Sequence, residues 1–232
     1  MFNLRDLQQF YNPSYFGINE NHYTWKESDQ TDTNALASVK FVFQGGTISY
    51  LKSNLLKEMK DAYRTDSTKT LNLRMICDGL LFLDRGEEHY LVIFEVKSGF
   101  NEVKSKAIRQ IPASYIKAKS ILNDFSTFNM NDYKAFGLIV SYPYIPKPPT
   151  DAENNPLVLE DKQIMTGDIF AKYNRLLRNH QKADFIGNDF GFDQLTQVKQ
   201  DLLFEKLRVK HYPVDNHCVN AIVDLDDIIG TL

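Results

Sequence analysis

Two apolar runs facing each other across one polar turn constrain this chain more than any other feature. Residues 77–99 read CDGLLFLDRGEEHYLVIFEVKSG. Both runs are rich in strand-forming residues, and the Asp-Arg-Gly-Glu-Glu between them reads as a tight turn, so the segment predicts a β-hairpin. Three charged residues intrude on it: Asp78 at the start of the first strand, Glu95 and Lys97 at the end of the second. Alternation decides where they point. Leu91, Ile93, Glu95 and Lys97 share one face, and Val92, Phe94 and Val96 share the other. A charged group buried without compensation costs several kcal/mol or shifts its pKa until it is neutral, so these positions need a physical reason.

The surrounding sequence supplies candidate partners for the hairpin. The first 35 residues read as an irregular aromatic and Asn-rich arm with one short helix near LRDLQQFY. ASVKFVFQGG alternates like a strand and stops at Gly45-Gly46. In TISYLKSNLLKEMKDAYR, Ile48, Leu51, Leu55, Leu56 and Met59 recur at helical spacing, which predicts an amphipathic helix. Residues 101–125 read as a second helix, with Pro112 kinking it or dividing it in two. YKAFGLIVSYPYI predicts a strand closed by Pro143, Pro146, Pro148 and Pro149. Beyond that loop, GDIFAKYNRLLRNHQK and DQLTQVKQDLLFEKLRVK read as helices and HCVNAIVDL as a strand. The expected architecture is α/β: one domain with a short mixed sheet flanked by helices. Residues 1–45 form an arm and a strand, 46–145 the core, and 146–232 a mainly helical extension.

Composition narrows the class of protein. With 43% apolar and 25% charged residues, the 232-residue chain is that of an ordinary globular protein. No apolar run approaches the roughly twenty residues of a membrane helix, and the N-terminus lacks the basic-then-apolar layout of a secretion signal. Two cysteines, Cys77 and Cys218, make no disulfide framework, and the cytoplasm is the expected compartment. A formal charge of −3 supplies no global attraction to nucleic acid, so any polyanion-binding surface is local.

Two carboxylates beside one lysine suit a divalent metal. Hard oxygen ligands hold Mg²⁺ or Mn²⁺, which can polarise a phosphoryl oxygen and acidify a bound water. A lysine nearby can orient that water or stabilise charge developing on the phosphate. Asp78, followed after a hairpin by Glu95-Val96-Lys97 and flanked by helices, resembles the PD-(D/E)xK nuclease superfamily. The resemblance covers residues 47–142. It implies a restriction-endonuclease-like αβββαβ core and Mg²⁺-dependent hydrolysis of nucleic acid, DNA more than RNA, with Mn²⁺ able to substitute. On the same resemblance Asp78 is the first acid, Glu95 the second, Lys97 the motif lysine, and the Val96 carbonyl a further metal ligand. An additional acid comes from the helix before the sheet, where Glu58 is the candidate and Asp61 its substitute; a glutamine from the following helix would be Gln110. A setting in bacterial or phage defence, restriction or mobile elements is implied too, and the N- and C-terminal additions suit a homodimer or docking within a larger complex. Three features depart from the pattern: Cys77 stands where the motif has proline, Tyr115 follows Gln110 by five residues rather than four, and one core strand is lacking unless TKTLNLRM supplies it.

Plainer readings stand beside these. Asp78, Glu95 and Lys97 also fit a buried ion-pair cluster, and the fold also fits a catalytically inactive nucleic-acid-binding or protein-interaction domain. Glu58 also fits a helix surface, and Gln110 a solvated or capping residue. Lys104, Lys106, Arg109, Lys117 and Lys119 fit phosphate contact or a solvated helix face. His211, His217 and Cys218 lack a fourth zinc ligand and read as structure. Cys77 reads as a small core residue rather than a nucleophile.

Overall fold

The computed structural model describes residues 4–19, 21–27, 35–59, 73–99, 106–126, 128–143, 173, 176–178, 182–192 and 199–232. The strands, in chain order, are β1 (Phe16–Asn19), β2 (His22–Lys26), β3 (Ser38–Val42), β4 (Thr47–Lys52), β5 (Gly79–Arg85), β6 (Glu88–Lys97), β7 (Lys134–Ser141), β8 (Lys182–Ile186), β9 (Lys206–Pro213) and β10 (Asn220–Asp224). The α-helices are α1 (Leu4–Leu7), α2 (Ser53–Glu58), α3 (Ile108–Leu122) and α4 (Leu225–Ile229). The architecture is mixed α/β.

The expected hairpin is present. β5 and β6 pair antiparallel, with Gly79 opposite Phe94 and Arg85 opposite Glu88, and Gly86 takes the left-handed turn conformation at φ 60°. They lie inside a seven-stranded sheet of order β1-β4-β5-β6-β7-β9-β8. β6, β7 and β9 run parallel to one another, and the remaining pairs are antiparallel. β6 is buried from Tyr90 through Val96 because both faces of the sheet are covered, which is why its sequence is a nearly continuous apolar run.

The alternation of β6 divides the core. Leu91 and Ile93 join Leu80, Phe82, Ile139 and Val209 on the face covered by α3, and a second aromatic group closes the far side of that helix, where Tyr115 meets Phe204 edge-on. Val92 and Phe94 join Leu81, Leu83 and Leu138 on the other face, against Val39, Phe41 and Val223 of a three-stranded sheet ordered β10-β3-β2. That second sheet, with the short α4 beside it, covers the face where further helices were expected.

Several expected elements differ. The helix expected from Thr47 begins only at Ser53, because residues 47–52 pair with both β1 and β5 and send Ile48 and Leu51 into opposite cores. β4 is thus the third strand of the antiparallel set, and it lies before α2 rather than in TKTLNLRM, most of which falls outside the described residues. The aromatic arm contributes β1 and β2, so it is not irregular. The extension expected to be mainly helical adds β8 and β9 to the main sheet and β10 to the small one; LRVK, expected to end a helix, lies in β9. Pro112 does not divide the helix into two elements: α3 runs through it, and the carbonyl it leaves without an N–H belongs to Ile108, the first residue of the helix. Asp61, Lys104 and most of GDIFAKYNRLLRNHQK lie outside the described residues. No helix among the described residues is long and apolar enough to cross a membrane.

Gly137 of β7 sets how closely α3 approaches the sheet. A Cβ there would lie 2.6 Å from Ile111 Cγ2 and 3.0 Å from Val209 Cγ2, both in the packed core. Gly137→Ala is expected to lift α3 off β7 and destabilise the protein by about 1–3 kcal/mol, read as a lower urea midpoint at unchanged slope.

Candidate functional site

Asp78 sits immediately before β5, where extending the hairpin register sets it opposite Glu95. Its N–H donates to the Phe94 carbonyl at 3.1 Å, and its Oδ2 accepts the Val96 N–H at 2.8 Å. The first acid is therefore held against the strand that carries the second. Glu95 has 0% exposure. Lys97, two residues on and on the same face, pairs its ammonium with Glu95 Oε1, while Oε2 is buried and has no hydrogen-bond partner among the described residues. The structure thus brings Asp78, Glu95 and Lys97 together at one end of the sheet.

Burial dominates the electrostatics. It pushes Glu95 up to about 8; the Asp78 carboxylate adds to the rise and the Lys97 ammonium opposes it. Asp78 is raised to about 6, again chiefly by burial, against the Val96 N–H and Lys97. Glu27, just beyond β2, adds to that rise and Lys57 of α2 opposes it. Two neighbouring acids whose charged forms are both disfavoured are residues that could hold a hard divalent cation, since Mg²⁺ takes one or two carboxylates and completes its shell with water.

The other expected residues separate. Val96 turns its side chain to the three-stranded sheet, so only its backbone reaches the acids. Glu58, at the end of α2, is exposed and accepts the Tyr15 hydroxyl at 3.1 Å. Among the described residues no His, Cys, Asp or Glu completes a group of three with the two acids, so Glu58 is not brought to them. Gln110 does approach: its Nε2 donates to the Ile76 carbonyl, two residues before Asp78, at 2.6 Å. Cys77 is a buried core residue, its thiol pushed up to about 12 by burial.

Two residues beside the centre escaped a site reading. Ser141 of β7 lies opposite Lys97, and the Nε2 of His211 on β9 contacts its Oγ at 2.9 Å. Because that hydroxyl donates to the Tyr142 carbonyl at 3.0 Å, it accepts from the imidazole. Burial pulls His211 down to about 4, so the ring is neutral at pH 7. Glu95, Ser141 and His211 are all buried and share the α3 face of β6, β7 and β9, with Ser141 in register with Lys97 and Ile139 standing between Glu95 and His211. The only local signal was a histidine in an apolar run; its relation to Glu95 comes from strand order.

The sign of the Glu95 shift gives a test. Its folded value exceeds its unfolded value near 4.5, so the native state holds a proton that the unfolded chain releases in between. Metal-free stability should fall as pH rises from about 5 to 8, with Glu95 contributing at most about 1.4 kcal/mol per pH unit. Glu95→Gln should flatten that slope in chelator-treated protein, measured by urea denaturation at stepped pH; an unchanged slope would show that Glu95 is ionised throughout.

Searches against protein-family models, curated proteins and solved structures return no match for this chain.

Proposed function

We propose that this chain is a Mg²⁺-dependent nuclease that hydrolyses phosphodiester bonds, in DNA rather than RNA, with Asp78, Glu95 and Lys97 at its centre. The observation that carries the reading is the full burial of Glu95 beside a second carboxylate, that of Asp78. A purely structural cluster could replace such an acid with an apolar residue at no loss, and often with a gain. Strand pairing supports the same reading: β4, β5 and β6 form an antiparallel set, α3 crosses one face, and β7 returns parallel to β6, the pairing that the family resemblance implies, although α2 stands between β4 and β5 in chain order.

Asp78 and Glu95 would hold the cation with the Val96 carbonyl, and the cation would screen the scissile phosphate and make a water more acidic. The chain's own residues do the rest. Glu95 would release its proton to solvent, and the ammonium of Lys97, shared between that carboxylate and the substrate, would donate a hydrogen bond to the incoming water or to a phosphoryl oxygen. Asp78 stays fixed through its bond to the Val96 N–H, so its other oxygen keeps a constant direction. Glu58 has no part in this assignment, and Gln110 acts on the backbone before Asp78. Preference for DNA rests on the family resemblance. With a net charge of −3, binding depends on a local groove, a second copy or a larger assembly.

The test uses the full chain with Mg²⁺ or Mn²⁺ on plasmid, linear and single-stranded DNA and on RNA. DNA should be nicked or degraded, chelator should stop the reaction, and Asp78→Ala or Lys97→Ala should lower the rate by about 100-fold or more with an unchanged circular dichroism spectrum. Cleavage that survives chelator, or that persists in both variants, would reject the mechanism. Tight binding without cleavage would identify an interaction domain.

A further inference from the structure

We propose that Gln110, Ser114 and Lys117 of α3 are positioning residues for Asp78: they hold the backbone that delivers this acid and so set the affinity of the centre for a divalent cation. The three stand four and three residues apart, on one side of the helix. Each meets a consecutive residue of the segment leading to Asp78. Lys117 Nζ donates to the Met75 carbonyl at 2.7 Å, Gln110 Nε2 to the Ile76 carbonyl at 2.6 Å, and the Cys77 N–H donates to Ser114 Oγ at 2.8 Å.

Residues 75–77 belong to no strand, and the β5 ladder begins only at Gly79. The helix side chains therefore do for this segment what a neighbouring strand does for the rest of β5. Lys117 shows how firmly the arrangement is built: it has 0% exposure, although a lysine ordinarily keeps its ammonium in water. Sequence offered it two roles, phosphate contact or a solvated face, and the structure assigns neither. Ser114 is equally buried, and its hydroxyl accepts a backbone N–H that burial has taken away from solvent.

Such a clamp matters to a metal centre because ligand position tolerates little error. Carboxylate ligands have to be held within roughly half an ångström of their productive place, and removal of an outer partner lowers metal affinity by about 10- to 100-fold in known sites. Asp78 is tied forward to Val96 and backward through residues 75–77 to α3. Releasing the backward tie leaves its carboxylate chemically intact and its direction undefined. The proposal rests on the metal-centre reading above.

The experiment compares Lys117→Met, which keeps the stem and removes the ammonium, and the milder Ser114→Ala with wild type and with Val223→Ala. Val223 is in the core of the three-stranded sheet and serves as a control for general loss of stability. Calorimetric titration with Mn²⁺ should show about 10-fold weaker binding for Lys117→Met and a smaller loss for Ser114→Ala, with Val223→Ala binding as wild type does. Amide hydrogen exchange should speed up at Cys77 and Asp78 in both clamp variants without matching acceleration in β7. Unchanged Mn²⁺ affinity in both clamp variants would overturn the proposal, and so would an equal loss in Val223→Ala. Where Lys117→Met does not fold, Ser114→Ala decides on the same readouts. Wild type that takes up no Mn²⁺ would instead reject the metal-centre reading; local exchange at Cys77 and Asp78 would then decide the clamp by itself, upheld if faster and overturned if unchanged.

Discussion

Glu95 sits where β5, β7, α3 and the three-stranded sheet together exclude water from β6, and a carboxylate in such a place has three ways to exist. It can keep a proton, pair with a cation, or bind a metal. Here burial favours the proton, Lys97 supplies a partial pairing, and Oε2 has no hydrogen-bond partner among the described residues. Both covering layers are needed for this. Without the three-stranded sheet the even-numbered residues of β6 would be wet, and without α3 the odd-numbered ones would be. The layering that makes an apolar core is also what brings Glu95 to the edge of ionisation.

Strand polarity explains where the charges lie along the chain. In an antiparallel hairpin, residues equally far from the turn meet, and Asp78 precedes Gly86 by as many residues as Glu95 follows Glu87. An acid at the start of one strand therefore faces an acid at the end of the next. β6, β7 and β9 are parallel, so their carboxyl ends, at Lys97, Ser141 and Pro213, reach the same edge of the sheet. Binding sites of open α/β sheets gather outside such carboxyl ends. The antiparallel β5 adds its beginning to that edge, which is how an acid early in the hairpin joins a lysine late in it.

This geometry also explains which parts were legible in the sequence. The hairpin and its three charges were, because alternation and an obvious turn fix register within one short segment. β4 was not: Ile48, Leu51, Leu55 and Leu56 satisfy a helical period as well as a strand followed by a helix, and only pairing with β5 decides between them. β1 and β2 escaped because Ile18 of the one and four of the five positions of the other are only partly buried or exposed, which weakens the apolar signal. β9 escaped because LFEKLRVK spaces its apolar residues ambiguously, and its strand character comes from β7 and β8 on either side.

The same distinction applies within the site. Asp78, Glu95 and Lys97 advertise themselves as charges inside apolar strands. Ser141, His211, Ser114 and Lys117 do not, since each looks ordinary until the sheet order sets Ser141 opposite Lys97 and His211 against Ser141, and the helix packing sets the others on the backbone leading to Asp78. Lys117 is the clearest instance: among five basic residues of one segment, nothing local separates it from its neighbours, and only the approach of α3 to residues 75–77 buries it. Sequence marks where charge must be buried, and tertiary structure decides which neutral and basic groups hold that charge in place. The proposed function depends on both sets, because a pair of acids can hold a cation with useful affinity only when the backbone carrying them is already fixed.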